Sequence, residues 1–284
     1  MKLGFCDFWG GENSFQVENN FFTYLLKELK EDVKVVNPQE AEILIFSIFG
    51  NENKKFRDCK KIQFIGENIR PSYRSCDYSL SFDFNSFRGR NFRLPLWYLY
   101  IDWFKKTSYG NPNWLIPEDY LYKENRFSKK AKDLFCSIVI SKSNRKRKLI
   151  INSLDSYKNV DVFGKVIGGK PLPYGEEIKL EVISNYKFSI CFENSIFPGY
   201  TTEKLLHAKI AGTIPIYFGH NSFNKDFNSK CCINTKNISS KMILEMIKEI
   251  DQSSSKYKEI LNEPLFLNKV NLDPLKEFIN KIIV

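Results

Sequence analysis

The stretch of sequence that decides the fold is residues 188–204, Phe-Ser-Ile-Cys-Phe-Glu-Asn-Ser-Ile-Phe-Pro-Gly-Tyr-Thr-Thr-Glu-Lys. Its apolar run, Phe188–Phe192, predicts a buried strand. A polar turn and a Pro-Gly loop follow, and Thr201 is a suitable cap for a helix that runs through Ala208. At the end of a parallel strand, the free N–H groups and the dipole of such a helix favour phosphate binding. Lys204, in the first helical turn, adds a full positive charge.

Strand-like runs and helical patterns alternate along the chain. The predicted strands are Leu3–Cys6, Val33–Val36, Ile43–Ser47, Ile62–Ile65, Tyr78–Phe82, Phe135–Ile140, Val160–Phe163, Lys187–Phe192 and Ile214–Tyr217. The predicted helices are Phe21–Leu29, Lys148–Tyr157, Glu176–Ile183, Thr202–Ile210, Met242–Ile250 and Leu275–Ile283. The polar segment 105–132, which contains glycine and proline, indicates a loop and a domain boundary. The pattern therefore predicts an α/β protein with two Rossmann-like domains, at 1–130 and 131–265.

The composition indicates a globular protein with reduced thiols. The chain of 284 residues is 43% hydrophobic and 15% aromatic, which suffices for one large core or two medium ones. No apolar run approaches the length of a membrane-spanning helix. The first residues, Met1–Asp7, are too few and too polar for a signal peptide, and the seven cysteines show no Cys-x-x-Cys spacing. We therefore expect a cytoplasmic location.

The net charge of +10 allows two interpretations. A basic protein can bind nucleic acid or an anionic membrane surface, and it can equally hold a nucleotide diphosphate. The densest basic run, Lys142–Lys148, would ordinarily be a solvated face or a nucleic-acid patch. However, it follows the apolar stretch Leu134–Ile140 and leads into a helical pattern, so it lies at a second strand-to-helix turn. This setting favours a diphosphate.

The sequence offers no evident metal site. The two histidines, His207 and His220, have no neighbouring cysteine or histidine with which to share a metal ion. No Asp-x-Asp sequence, Walker loop or Gly-x-Gly-x-x-Gly motif occurs. These patterns predict a protein that needs no metal and no other cofactor.

The pattern in residues 188–208, FxxxFENSxxxxYxTEKxxxA, and the segment Ala211–Gly219 after it resemble the donor-binding motif of a known family. This is glycosyltransferase family 10, the GDP-fucose α-1,3/4-fucosyltransferases, and its bacterial, Helicobacter-like members are the most similar. The resemblance implies the GT-B architecture, in which two Rossmann-like domains face a cleft. It also implies that the C-terminal helix, within 266–284, packs back on the first domain. Since Val270–Val284 is only weakly amphipathic, peripheral attachment to the inner membrane is left open, as is the oligomeric state.

The resemblance implies the residues that bind the donor. Lys204 and Arg147 would neutralise the diphosphate of GDP, and we expect both side chains at the surface of the cleft. Asn194, Tyr200 and Glu203 would hold the ribose, the fucose or both, without a further division of roles.

A second group of residues is implied for the acceptor side. The turn Gly66–Pro71 would be read as a plain surface turn from its residues alone. It resembles the family's acceptor motif, in which Glu67 would be the catalytic base, and Arg93–Tyr98 resembles the segment downstream. Trp9 would line the acceptor site. In the second half, Gly164 would allow the nucleotide to approach closely, although a simple strand-ending glycine is an equal reading.

The resemblance thus implies an inverting α-1,3-fucosyltransferase. Its partners would be GDP-fucose and an N-acetylglucosamine-containing glycan of a lipopolysaccharide or capsule, with no nucleic acid. One alternative is a GT-B transferase that uses a different nucleotide sugar. The other is a basic nucleic-acid-binding protein, whose affinity for polynucleotides would fall steeply with salt.

Overall fold

The computed structural model describes residues 1–10 and 15–283. Its strands are β1 (Lys2–Cys6), β2 (Lys34–Val35), β3 (Ile43–Phe46), β4 (Lys60–Ile65), β5 (Tyr78–Ser81), β6 (Asn91–Arg93), β7 (Leu134–Val139), β8 (Val160–Phe163), β9 (Tyr186–Phe192), β10 (Ile214–Phe218) and β11 (Ile233–Asn234). Its α-helices are α1 (Phe21–Leu29), α2 (Arg145–Asp155), α3 (Glu176–Ile183), α4 (Glu203–Ile210), α5 (Ser240–Gln252), α6 (Ser254–Asn262) and α7 (Asp273–Ile283). Every strand and helix expected from the sequence is present, with ends shifted by a few residues at most.

The chain forms two compact units. Unit 1 contains Met1–Glu118, Pro198–Tyr200 and the segment from Val270 onward, and unit 2 contains Asp119–Phe197 and Thr201–Lys269. The division after Glu118 lies within the predicted boundary segment 105–132, although before the domain limit placed at residue 130.

The segment 119–132 belongs to unit 2 because its polar side chains bond to the backbone of that unit. The Asn125 amide donates to the carbonyl oxygen of Ile210 at 3.1 Å. The Lys132 ammonium donates to the carbonyl oxygens of Ser184 and Ala211 at 2.6 and 3.0 Å. The polar side chains in the second half of the predicted boundary segment therefore also make tertiary contacts with unit 2.

Each unit is built on one parallel sheet. The strand order is β2-β1-β3-β4-β5-β6 in unit 1 and β11-β10-β9-β7-β8 in unit 2. All pairings between these strands are parallel. The predicted α/β class with two Rossmann-like units is therefore confirmed. Because parallel strands end at the same edge, each sheet collects the residues that follow its strands along one line.

Register fixes which strand ends are neighbours. In unit 1, Ile65 pairs with Ser81 and Ser81 with Arg93, so the last residues of β4, β5 and β6 lie level with one another. In unit 2, Phe192 pairs with Phe218 at the ends of β9 and β10. Residues that follow these strands are the ones that can form a site.

The C-terminal helix α7 packs in the core of unit 1. Its residues Leu275, Ile279 and Ile282 are buried in the same hydrophobic cluster as Leu25 and Leu26 of α1. One whole face of the helix is therefore buried, and the interpretation of this segment as only weakly amphipathic is wrong. The last residue of the predicted segment 266–284 lies outside the described residues, and residues 266–269 belong to unit 2.

Three elements were absent from the sequence prediction. Strands β6 and β11 have three and two residues, which is too short for a periodic pattern to emerge. Helix α6 has no fully buried residue, and its apolar side chains, Tyr257, Ile260 and Leu261, are only partly buried against the core of unit 2. None of the helices that the structure describes has the length and apolar character needed to cross a membrane.

Candidate active site

The N-terminus of α4 in unit 2 carries a cluster of charged side chains. The Lys204 ammonium lies 2.8 Å from the hydroxyl oxygen of Thr202, the cap residue of this helix. It also lies 3.4 Å from a carboxylate oxygen of Glu193 and 3.6 Å from one of Glu203. The predicted cation is therefore held in place by two carboxylates, with 21% of its side chain exposed.

Glu193 holds the beginning of α4. Its carboxylate accepts hydrogen bonds from the backbone N–H of Thr202 at 2.8 Å and from the Thr202 hydroxyl at 2.7 Å. Glu193 directly follows β9, and its own N–H donates to the carbonyl oxygen of Phe218 at 2.8 Å. The residue thus fixes the helix N-terminus to the strand ends. The sequence analysis gave it no role, although its place directly after a buried strand was a signal.

Charge pairing sets the protonation of this cluster. Burial disfavours the Lys204 ammonium, but the carboxylates of Glu203 and Glu193 outweigh it and raise the pKa of Lys204. Burial likewise disfavours the Glu203 carboxylate, but Lys204 and then Lys179 lower the pKa of Glu203 to about 2. Both groups are therefore charged at neutral pH. A charged ammonium at a helix N-terminus is suited to an anionic ligand such as a diphosphate.

Arg147 lies in the first turn of α2, as its place after a strand predicted. It is only 4% exposed, whereas its neighbours Lys146 and Lys148 are exposed. The expectation of a surface guanidinium at this position is therefore wrong. Within the basic run Lys142–Lys148, Arg147 alone is buried. It is also the residue of this run for which the resemblance implied a role.

The Arg147 side chain is buried because it bonds to three acceptors. Its guanidinium donates to the carbonyl oxygens of Lys142 at 2.7 Å and Phe192 at 2.8 Å, and to the Asn194 side-chain oxygen at 2.8 Å. This burial lowers the pKa of Arg147, although the Glu193 carboxylate opposes the shift. Arg147 therefore fixes the orientation of Asn194 and joins α2 to the end of β9.

Two further basic residues of unit 2 lie beside the charged cluster at the N-terminus of α4. Lys179 of α3 and His207 of α4 line a small cavity of about 50 Å³ together with Glu203 and Lys204. Burial, together with the nearby Lys179 ammonium, holds the pKa of His207 well below its usual range, so the imidazole is neutral. Neither residue belongs to the recognised motif, and no sequence signal identified Lys179.

Gly164 lies at the end of β8 in unit 2, where the backbone is crowded. Its φ is +109°, and a Cβ atom there would lie 2.2 Å from the carbonyl oxygen of Ile140. The close approach to Ile140 at the end of the neighbouring strand explains why this position holds glycine. Its contact with a nucleotide stays a prediction.

The predicted acceptor residues lie in unit 1. Glu67 is exposed just beyond the end of β4 and lines a cavity of about 310 Å³. Trp9 and Phe49 line the same cavity, and their rings lie 6.2 Å apart in an edge-to-face arrangement. Trp9 also packs on Phe64 of β4, so it is partly core and partly cavity wall. An apolar cavity with one carboxylate is a suitable place for a sugar and a base.

Tyr200 belongs to unit 1, whereas Asn194, Glu203 and Lys204 belong to unit 2. It is 2% exposed, and its hydroxyl donates to a carboxylate oxygen of Glu67 at 3.4 Å. The structure thus brings together Tyr200, implied for the donor, and Glu67, implied as the base. Sequence reasoning had no signal for this contact, because the two residues are 133 positions apart.

Within residues 1–10 and 15–283, no group of three or more His, Cys, Asp or Glu side chains is placed to hold a metal ion. All seven cysteines are free thiols, and only Cys6 and Cys59 are partly exposed.

Two family models match the chain. The model described as the N-terminal domain of the α-(1,3)-fucosyltransferase FucT matches residues 3–100. The model described as the C-terminal part of glycosyltransferase family 10 (fucosyltransferase) matches residues 127–262. These two segments contain every residue for which the resemblance implied a role.

Individual relatives give the same result. The chain is 27% identical to the α-(1,3)-fucosyltransferase FucT of Helicobacter pylori, over 93% of this chain and 60% of that protein. It is 35% identical to a putative fucosyltransferase, R654, of Acanthamoeba polyphaga mimivirus, over 52% of this chain and 27% of that protein. The chain therefore spans less than two thirds of the length of each of these two curated relatives.

A solved structure extends the similarity to the whole fold. A crystal structure of an α1,3-fucosyltransferase with GDP-fucose superimposes on this structure with a TM-score of 0.74 and 26% identity. The match covers 99% of this chain and 89% of that one. This similarity confirms the predicted GT-B-like fold class.

The depressed pKa of Glu203 predicts an acid-dependent loss of stability. A carboxylate whose pKa is about 2 in the folded state stabilises the fold above its unfolded value near 4.5, and loses this contribution as the pH falls toward 2. Between pH 5 and pH 2, we expect the wild type to lose roughly 2–4 kcal/mol more unfolding free energy than Glu203→Gln. Urea denaturation at a series of pH values measures the difference.

The exposed residue Glu259 offers a matched control. Glu259→Gln should keep the wild-type pH dependence, because its carboxylate is not buried against a cation. If Glu203→Gln and wild type lost stability in parallel, the Lys204–Glu203 pair would not set the charge of this site.

Proposed function

This chain belongs to glycosyltransferase family 10, the fucosyltransferases, and from that membership we propose that it transfers L-fucose from GDP-fucose to a hydroxyl of an N-acetylglucosamine-containing glycan. The linkage formed is α-1,3, and the reaction inverts the configuration at the anomeric carbon of fucose. The acceptor belongs to a lipopolysaccharide or capsule. The names of the Helicobacter relative and of the GDP-fucose-bound neighbour support the donor and the linkage.

The observation that carries this proposal is the charged cluster at the N-terminus of α4. Lys204 is charged and held by Glu193 and Glu203, and Arg147 fixes the turn that follows β9. A diphosphate bound there accepts hydrogen bonds from the ammonium and from the free N–H groups of the helix. As the bond between fucose and phosphate breaks, negative charge builds on GDP, and these preorganised groups stabilise it.

Glu67 serves as the general base. A sugar hydroxyl is a poor nucleophile until its proton is removed in the transition state, and a carboxylate can remove it. The cavity that Glu67 lines in unit 1 offers the aromatic rings of Trp9 and Phe49 for packing against a sugar. Lys204 and Arg147 supply the positive charge near the diphosphate that a divalent metal ion supplies in other transferases. The reaction therefore needs no metal.

A donor screen tests the function directly. Hydrolysis and transfer are measured with GDP-fucose, GDP-mannose and a UDP-sugar, with N-acetyllactosamine as the acceptor. We expect turnover with GDP-fucose and saturation by GDP but not by UDP. Turnover with another nucleotide sugar alone would identify a different transferase of the same fold.

Removal of the donor-site cation should abolish most activity. Lys204→Ala should lower kcat/KM on the order of a hundredfold, as for removal of one preorganised electrostatic contact. It also leaves two carboxylates without their cation, so a lower unfolding midpoint is expected as well. Arg147→Ala should show both effects, because its three hydrogen bonds are lost. Activity is measured per folded molecule, with folding checked by circular dichroism.

Lys148→Ala is the matched control for these variants, since it removes an exposed cation one residue from Arg147. It should keep activity within about twofold of wild type. Near wild-type GDP affinity and turnover in Lys204→Ala would contradict the donor-site assignment.

Glu67→Gln keeps the shape of the side chain and removes the base. It should lower kcat by roughly 10²–10⁴-fold while the affinity for GDP stays nearly unchanged, because the base acts on the acceptor. Steady-state kinetics and GDP titration calorimetry on the same preparation separate the two. Wild-type turnover would exclude Glu67 as the base.

Metal independence is tested by chelation. Activity should persist in excess EDTA, because Lys204 and Arg147 supply the positive charge. Complete loss in EDTA, restored by Mn²⁺, would refute this. A modest stimulation by metal would not, since free GDP binds metal ions and its release could become faster.

A further inference from the structure

We propose that Tyr200 positions the carboxylate of Glu67, and that Arg93 holds Tyr200 in place for this purpose. The inference rests on the proposed function, in which Glu67 is the base. It differs from the donor-binding role that the motif implies for Tyr200, because it places the effect of this residue on the acceptor side of the reaction.

The residues involved lie at one edge of the unit 1 sheet. Strands β4, β5 and β6 are neighbours and end level with one another. Glu67 follows β4, Phe82 follows β5, and Arg93 is the last residue of β6. The three residues therefore lie along one edge of the unit 1 sheet, although they are separated by up to 26 positions in the sequence.

The segment Pro198–Tyr200 lies on this edge of the unit 1 sheet. The Arg93 guanidinium donates from Nε to the carbonyl oxygen of Phe82 at 3.0 Å and from its terminal nitrogen to the carbonyl oxygen of Gly199 at 2.8 Å. One planar side chain thus joins the end of β5 to the segment. Two donors in a fixed fork define both distance and orientation, which a lysine cannot do.

Gly199 lies too close to the backbone of Phe82 to carry a side chain. Its φ is +86°, and a Cβ atom at this position would lie 2.2 Å from the carbonyl oxygen of Phe82. Only glycine permits this approach without a shift of the backbone. The segment is therefore pressed against the same carbonyl group that Arg93 binds.

The side chain of Tyr200 is held by the ring of Phe82. Its ring packs edge-to-face on the ring of Phe82, with centroids 5.3 Å apart and an interplanar angle of 81°. With the ring buried in this way, the hydroxyl has little freedom, and it donates to Glu67 at 3.4 Å. Glu67 is otherwise exposed on a turn, so a donor from a buried ring restricts the orientations of its carboxylate.

Tyr200→Phe tests the proposal because it keeps the ring and removes only the hydroxyl. We expect kcat to fall roughly three- to tenfold, because the hydrogen bond to the Glu67 carboxylate is long and the carboxylate is exposed to solvent, while the Kd for GDP and the KM for GDP-fucose stay within twofold of wild type. Tyr73→Phe is the matched control, since it removes another hydroxyl of unit 1, one that bonds to Ser79. It should leave kcat unchanged.

A double-mutant cycle with Glu67→Gln decides whether the hydroxyl acts through the base. If Tyr200 only positions Glu67, adding Tyr200→Phe to Glu67→Gln should produce no further loss of kcat. Effects that multiply, or a GDP affinity that falls in proportion to kcat, would overturn the positioning role and leave Tyr200 as a donor residue. A Glu67→Gln protein with wild-type turnover would overturn the base assignment, and this inference with it.

Arg93→Lys supplies a second variant that keeps the positive charge. Because a lysine cannot join both carbonyl oxygens, the variant should lower kcat about as much as Tyr200→Phe does, with GDP affinity again unchanged. The two changes combined should be no worse than either alone. A wild-type kcat in Arg93→Lys would show that the segment needs no such link.

Discussion

All strand pairings in the two sheets described here are parallel, and the candidate site depends on this constraint. A parallel sheet places the carboxyl ends of its strands at one edge, so each unit gathers its candidate site residues there. In unit 2 this edge carries Glu193 and helix α4, whose first turn contains Lys204. In unit 1 it carries Glu67 and Arg93. Neither group could form if the strands ran in alternating directions, because half of the strand ends would then lie at the opposite edge.

The charged cluster at the N-terminus of α4 affects both the stability of the fold and the proposed function. Lys204 is held by two carboxylates that are themselves largely buried, and Glu193 also accepts a hydrogen bond from the backbone N–H of Thr202, the cap residue of α4. Burying such charges costs free energy that pairing only partly returns. What the arrangement provides is a positive charge in a fixed position before any ligand arrives, and preorganised charge is what stabilises a leaving diphosphate most effectively.

The hydrophobic pattern along the sequence was sufficient to predict most of the strands and helices. Strands such as Val160–Phe163 and helices such as Phe21–Leu29 and Glu176–Ile183 have the bounds that hydrophobic periodicity predicted. Prediction failed where periodicity is weak or where contacts are long-range. Strand β11 has only two residues, and the polar segment after Glu118 belongs to unit 2 because its side chains bond to the backbone of that unit.

The sequence by itself determined the class of the fold and the family, because the motif in residues 188–204 specifies a strand, a turn and a helix together with the residues that carry its chemistry. Only the tertiary structure decided how those residues are used. It bonded the buried guanidinium of Arg147 to the carbonyl oxygen of Phe192, 45 positions away, and it placed the hydroxyl of Tyr200 on the carboxylate of Glu67, 133 positions away. Both contacts join residues far apart in the chain, and short-range patterns hold no information about such contacts, since they arise only when separate strands end at a common edge.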